Sequence, residues 1–205
     1  VLLRSIFANL HQFSAVFLCD GKDGVAFQRY ANLHPKVKVL WEERDLWRLT
    51  SMLVDVMGRR NAHQRALGID NTQRDFIAVV IDEMATYTAK PSADSKHPDN
   101  KLHTQFIDDL ARLARRGRST GLRMIITAQE PVAEQIPTTV RNNCQTIMSF
   151  KLSIDAHATA LFGQLDRLPA DPRDLPRGRA LIKHGLTSMM QSVQLPLIQS
   201  GGRRP

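Results

Sequence analysis

Apolar positions along the chain alternate between two rhythms, continuous short runs and helical spacing. Residues 1–13 place Leu2, Leu3, Ile6, Phe7 and Leu10 at helical intervals, which predicts an amphipathic helix. Residues 15–19 form an unbroken apolar run that ends at Asp20-Gly21, the pattern of a buried strand and a turn. A second strand is predicted over 37–40, and a long helix from Glu42 to about Leu67, with Leu46, Leu49, Leu53 and Met57 on one face and a stop near Gly68. Residues 76–81 are all apolar and run into Asp82-Glu83, as expected of a central parallel strand. Residues 86–100, rich in Thr, Ser, Pro and Asp, read as a mobile loop. Phe106, Leu110, Leu113 and Ala114 mark another helix, closed by Gly117 or Gly121. Beyond it the pattern predicts a strand over 122–127, a helical piece ending at Val140, a strand over 146–151 and a helix over 155–162. A proline-stiffened loop and a hairpin of 179–184 with 188–195 follow, then a Gly/Arg-rich tail that reads as disordered.

Strands alternating with helices, where the strands are almost wholly apolar, imply an α/β fold: a mostly parallel sheet flanked by helices on both faces. Ligands of such sheets bind beyond the C-terminal ends of the strands. That rule selects Asp20, Asp82-Glu83, Thr127-Ala128-Gln129 and Lys151. Asp82 and Glu83 put two carboxylates at one strand tip. Adjacent strand positions face opposite sides, so the two acids are expected to do different work. One suits a divalent cation held through water, the other the activation of a water molecule. The same pair is also an ordinary helix start, where acids are favoured. Gln129, at the tip of a second apolar strand, could read a terminal phosphate or the lytic water, or simply be solvated.

Charge narrows the partners. With 28 Lys+Arg against 20 Asp+Glu the chain carries +8, which suits nucleic acid first and an anionic membrane surface second. Two distant cysteines, Cys19 and Cys144, suggest neither a disulfide scaffold nor a zinc site. Cys19 reads as a small buried hydrophobe, the seven histidines have no ligand spacing, and Trp41 and Trp47 are expected to anchor a helix on the core. No apolar stretch approaches ~18 residues, and no signal peptide is legible.

Residues 111–131, ARLARRGRSTGLRMIITAQEP, resemble the segment that follows Walker B in the FtsK/SpoIIIE family of DNA-pumping motors. Asp20-Gly21-Lys22 resembles the turn after that family's second strand, Val140-Arg141-Asn142-Asn143 and Ser153-Ile154-Asp155 its later segments, and Arg177-Gly178-Arg179-Ala180 its Gly-rich turn. The resemblance implies a RecA-like P-loop NTPase that uses ATP and Mg2+, works as a homo-hexamer on double-stranded DNA, and sits at the cytoplasmic face of a bacterial membrane through a segment outside this chain. It makes Asp82 the Mg2+ carboxylate, Glu83 the residue that activates water, and Gln129 the phosphate sensor. Arg141 and Arg118 become candidate arginine fingers, and Arg115 and Arg116 candidate contacts to the DNA backbone. Residues 1–198 would be the C-terminal portion of the motor domain and 199–205 a tail. Plasmid conjugative transfer and chromosome segregation both fit, and Cys19 to Phe27 leans toward the transfer proteins of actinobacterial plasmids. A type VII-like secretion ATPase that moves protein and a non-hydrolysing assembly module are the alternatives.

The departures are specific. No Gly-x-x-x-x-Gly-Lys-Ser/Thr loop lies in the 205 residues, so the chain is expected to start just past that loop, without the first strand, and to be inactive alone. Ile147 and Glu130 stand where the family usually has arginines.

Overall fold

The computed structural model describes residues 6–69, 75–94, 96–185 and 189–195. The chain folds as two compact units, residues 9–143 and residues 144–205 with 1–8. The first contains, in order, β1 (Phe13–Asp20), β2 (Val37–Leu40), α1 (Glu43–Leu67), β3 (Phe76–Asp82), α2 (Met84–Thr88), α3 (Pro98–Arg116), β4 (Leu122–Ile126) and α4 (Thr138–Arg141). Its four strands form one wholly parallel sheet in the order β2-β1-β3-β4.

The apolar runs explain why β1 and β3 lie inside. Along β3, Ile77, Ala78, Val79, Val80 and Ile81 are all buried, so both faces of the strand are removed from water. Ile77, Val79 and Ile81 join Cys19 in a core closed by Leu46, Leu49, Leu53 and Met57 of α1 and by Phe106, Leu110 and Leu113 of α3. The Trp47 ring lies 6.3 Å from Phe106 and 5.8 Å from His103, centroid to centroid. Burial pushes the Cys19 thiol up to about 12, so it packs as a neutral hydrophobe, as its apolar surroundings predict. α1 ends at Gly68, whose left-handed φ of 64° closes the helix at the expected place.

The second unit has β5 (Thr146–Ser149), α5 (Asp155–Phe162), β6 (Arg179–His184) and β7 (Met190–Gln194). Its three strands are antiparallel in the order β5-β6-β7, over a small core of Phe162, Leu175 and Leu181.

Several expectations are corrected. Over the predicted helix 1–13, residues 1–5 lie outside the described residues and 6–8 are helical as expected, but Leu10–Gln12 form a 3-10 turn and β1 already starts at Phe13. Residues 86–100 are not one loop. The chain after β3 coils into α2 at once, and Pro98 starts α3 with the His97 side chain accepting from the Asp99 N–H. Both predicted glycine stops are used: Gly117 caps α3 and Gly121, at φ 80°, ends the short Arg118–Thr120 turn. Lys151 follows a strand of the antiparallel sheet and so does not share the edge of Asp20 and Asp82. Strand periodicity carries no information on the pairing partner, which is why that strand end was misplaced. Trp47 is buried as expected, but Trp41 is 48% exposed. The tail 199–205 lies outside the described residues.

Phe106 is 1% exposed at the seam of α1 and α3. Phe106→Ala should lower the unfolding free energy by about 3–5 kcal/mol in guanidinium titration, whereas a loss below about 1 kcal/mol would place the core elsewhere.

Candidate functional site

The parallel register brings three strand ends side by side. Asp20 of β1 pairs with Asp82 of β3, and Ile81 with Ile126 of β4, so Thr127 emerges next to Asp82. Backbone bonds extend the ladder past the strands: the Thr127 N–H donates to Ile81 O at 2.9 Å, the Met84 N–H to Thr127 O at 2.9 Å, and the Gly21 N–H to Asp82 O at 3.1 Å.

Asp82 presents both carboxylate oxygens to named partners. The Thr127 hydroxyl donates to Oδ1 at 2.7 Å, and Lys22 Nζ stands 3.6 Å from Oδ2. Its side chain is 23% exposed, so it reaches the surface from a buried strand. Glu83 does not continue the strand, contrary to the simple alternation expected of the pair. It turns left-handed at φ 55° and ψ 70° and heads α2, while its N–H donates to Thr127 Oγ1 at 3.3 Å. A non-glycine residue there costs of order 1 kcal/mol or more and needs surrounding contacts to hold it. The turn, not strand alternation, is what separates the two acids.

Asp20 plays a part that its position alone did not disclose. It is fully buried, and its two oxygens accept the Lys22 N–H at 2.9 Å and the Phe27 N–H at 2.8 Å. The carboxylate thereby shapes the 20–27 loop that delivers Lys22 to Asp82. Gly21 lies against the β3 exit so closely that a Cβ would stand 2.6 Å from Asp82 O and 2.7 Å from Glu83 O. The Thr86 hydroxyl closes the same turn by donating to Gly21 O at 2.9 Å. Below the edge, Tyr87 is fully buried. Burial, the largest cause, raises its phenol, and the nearby Asp20, Glu43 and Asp82 carboxylates add to the shift, so it stays neutral.

The other candidates are placed as follows. Gln129 is exposed two residues beyond Thr127, on the same edge. Arg141, in α4, is half-buried and donates from Nη1 to Pro131 O at 2.6 Å. Arg115 and Arg116 close α3, and Arg118 follows in the turn before β4; all three are exposed. They lie at the N-terminal end of β4, a strand length of roughly 16 Å from the Asp82 edge. The same edge holds Arg123, whose guanidinium is lowered by burial and then by the nearby Arg118 charge. Thr127, Lys22 and Gly21 are the site residues that sequence reasoning left without a role. The register of β3 against β4 would have disclosed Thr127.

Among the described residues no cluster of His, Cys, Asp and Glu could by itself hold a metal ion. Asp82 nonetheless fits Mg2+, which keeps most of its waters and takes one or two carboxylates together with substrate phosphates.

No family model and no curated protein matches the sequence. Solved structures do match the fold. The TcpA conjugation coupling protein of pCW3, solved as a monomer with ATPγS, superposes with TM-score 0.79 and 25% identity over 94% of this chain and 55% of TcpA. ATPases 2 and 3 of EssC from Geobacillus thermodenitrificans match with TM-score 0.61 and 20% identity over 85% of this chain and 32% of that one. The cytoplasmic domain of the type VII secretion ATPase EccC from Thermomonospora curvata matches with TM-score 0.64 and 16% identity over 99% of this chain and 24% of that one. The chain thus spans about half the length of TcpA, 55%.

The parallel sheet with flanking helices, the fold in which this chain matches these proteins, is that of a P-loop NTPase. Within that class the chain has the architecture of an FtsK-like ATPase, as the run 111–131 implies. No described helix is long and apolar enough to cross a membrane.

Because the Gly21 Cβ position is filled by backbone oxygens of residues 82 and 83, Gly21→Ala must displace the β3 exit. The substitution should cost about 1–3 kcal/mol of stability in denaturant titration, and a neutral effect would mean that the turn packs more loosely than described.

Proposed function

We propose that this chain carries the hydrolytic edge of an ATP-driven motor that moves double-stranded DNA. The observation that carries the reading is the Asp82–Thr127 hydrogen bond, with Glu83 and Gln129 on either side of it, at the C-terminal edge of a sheet. The 25% identity to a conjugation coupling protein over 94% of the chain supports a conjugative role over chromosome segregation. The likeness to the secretion ATPases is one of fold and does not favour a protein substrate.

In this reading Asp82 holds Mg2+ through water. The cation would supply charge neutralisation at the phosphates. Glu83, turned out of the strand, orients and deprotonates the attacking water, and Gln129, exposed two residues beyond Thr127, reads the terminal phosphate. The phosphates themselves are cradled by chain outside these 205 residues, which contain no phosphate loop. Copies of the chain assemble as a homo-hexamer with ATP between subunits, on the cytoplasmic face of the membrane, anchored by a segment outside this chain. Arg118, exposed at the opposite edge of the sheet, suits a finger reaching a neighbour's site better than Arg141, which is tied to its own Pro131 carbonyl. Arg115 and Arg116, exposed at the end of α3, meet the phosphate backbone in this reading without reading sequence.

Two outcomes follow for the full-length protein. Glu83→Gln should lower ATP turnover by about 10²–10⁴-fold while ATP affinity stays nearly constant; unchanged turnover in steady-state kinetics would remove the hydrolytic role. DNA should stimulate turnover with a steep salt dependence. Arg115→Ala or Arg116→Ala should each reduce the slope of log affinity against log salt by about 1, whereas a flat salt response would favour a protein substrate.

A further inference from the structure

Building on the nucleotide-hydrolysis reading above, we propose that Thr127 is the positioning residue of the metal-facing carboxylate. Its hydroxyl lies between the two acids, donating to Asp82 Oδ1 at 2.7 Å and accepting from the Glu83 N–H at 3.3 Å. Its backbone is fixed on both sides, N–H to Ile81 O and C=O to the Met84 N–H, both at 2.9 Å. The hydroxyl has a single proton, and it is committed to Asp82, so it cannot donate elsewhere without releasing that carboxylate.

The consequence is directional. Oδ1 accepts the Thr127 hydroxyl, whereas Oδ2 already faces a cationic group, Lys22 Nζ at 3.6 Å, so Oδ2 is the oxygen assigned to a divalent cation. A carboxylate that presents one fixed oxygen suits an ion held through water and phosphates, because it sets direction without chelating. The same hydroxyl holds the left-handed turn that swings Glu83 away from the strand. One side chain at the tip of β4 therefore fixes Asp82 and Glu83 together, and it stands two residues before Gln129. Groups that orient a ligating carboxylate typically contribute 10–100-fold to metal affinity or activity.

The experiment compares Thr127→Val, Thr127→Ser and Asp82→Asn in the full-length protein. Mn2+ binding in the presence of ATPγS is followed by electron paramagnetic resonance, beside turnover as a function of Mg2+. Thr127→Val should weaken Mn2+ binding by about 10-fold or more and raise the Mg2+ concentration for half-maximal turnover in proportion, while Thr127→Ser restores both. In the Asp82→Asn background Thr127→Val should add little, because its partner is already gone. Mn2+ binding unchanged in Thr127→Val, Thr127→Ser as weak as Val, or fully additive losses in the double variant would each overturn the proposal while leaving the hydrolytic reading intact. Should Thr127→Val fail to fold, Thr127→Ala is read against Thr127→Ser by the same criteria. A wild-type protein that binds no Mn2+ with ATPγS would overturn the hydrolytic reading and the proposal together.

Discussion

The ladder of backbone hydrogen bonds that continues past the end of β3 governs this molecule. A strand buried on both faces cannot carry polar side chains along its length, so its carboxylates can appear only where it leaves the core. At that exit Asp82 and Met84 are still bonded to the segments leaving the two flanking strands, through Gly21 on one side and Thr127 on the other. The acids are thus delivered by a rigid edge although they stand outside the strand's apolar run. Gly21 and Thr127 are held by the same ladder that shapes the site, so the local fold and the candidate chemistry share a single set of contacts.

Charge is arranged on the two edges of the sheet in opposite ways. At the C-terminal edge Asp20 is buried and satisfied by two backbone N–H groups, and Asp82 has a hydroxyl and an ammonium beside it. At the N-terminal edge Arg115 and Arg116 close α3 and Arg118 follows, all exposed, and Arg123 beside them is lowered by burial and then by the Arg118 charge. Carboxylates and guanidinium groups therefore gather at opposite edges of the same sheet.

Much of the first unit was legible along the chain. The period of α1, its apolar face and its stop at Gly68, the all-apolar run of β3, and the glycines that close α3 each depend on residues near in sequence. The resemblance carried by 111–131 led to the fold that the solved structures share. Other features were not legible for equally definite reasons. The helix α2 is only five residues long and lies in a Thr-rich stretch with no period to detect. Trp41 is exposed because β2 ends just before it, which apolar character alone does not reveal.

The sequence by itself determined that Asp82 and Glu83 would leave a buried strand together, because six apolar residues before two acids leave few alternatives in water. Only the tertiary structure decided how the two are used. Thr127 and Lys22 lie 45 positions after and 60 positions before Asp82, and parallel pairing across three strands brings them to its two oxygens. Register between distant strands is set by the packing of the whole sheet, so no local pattern could have placed those contacts.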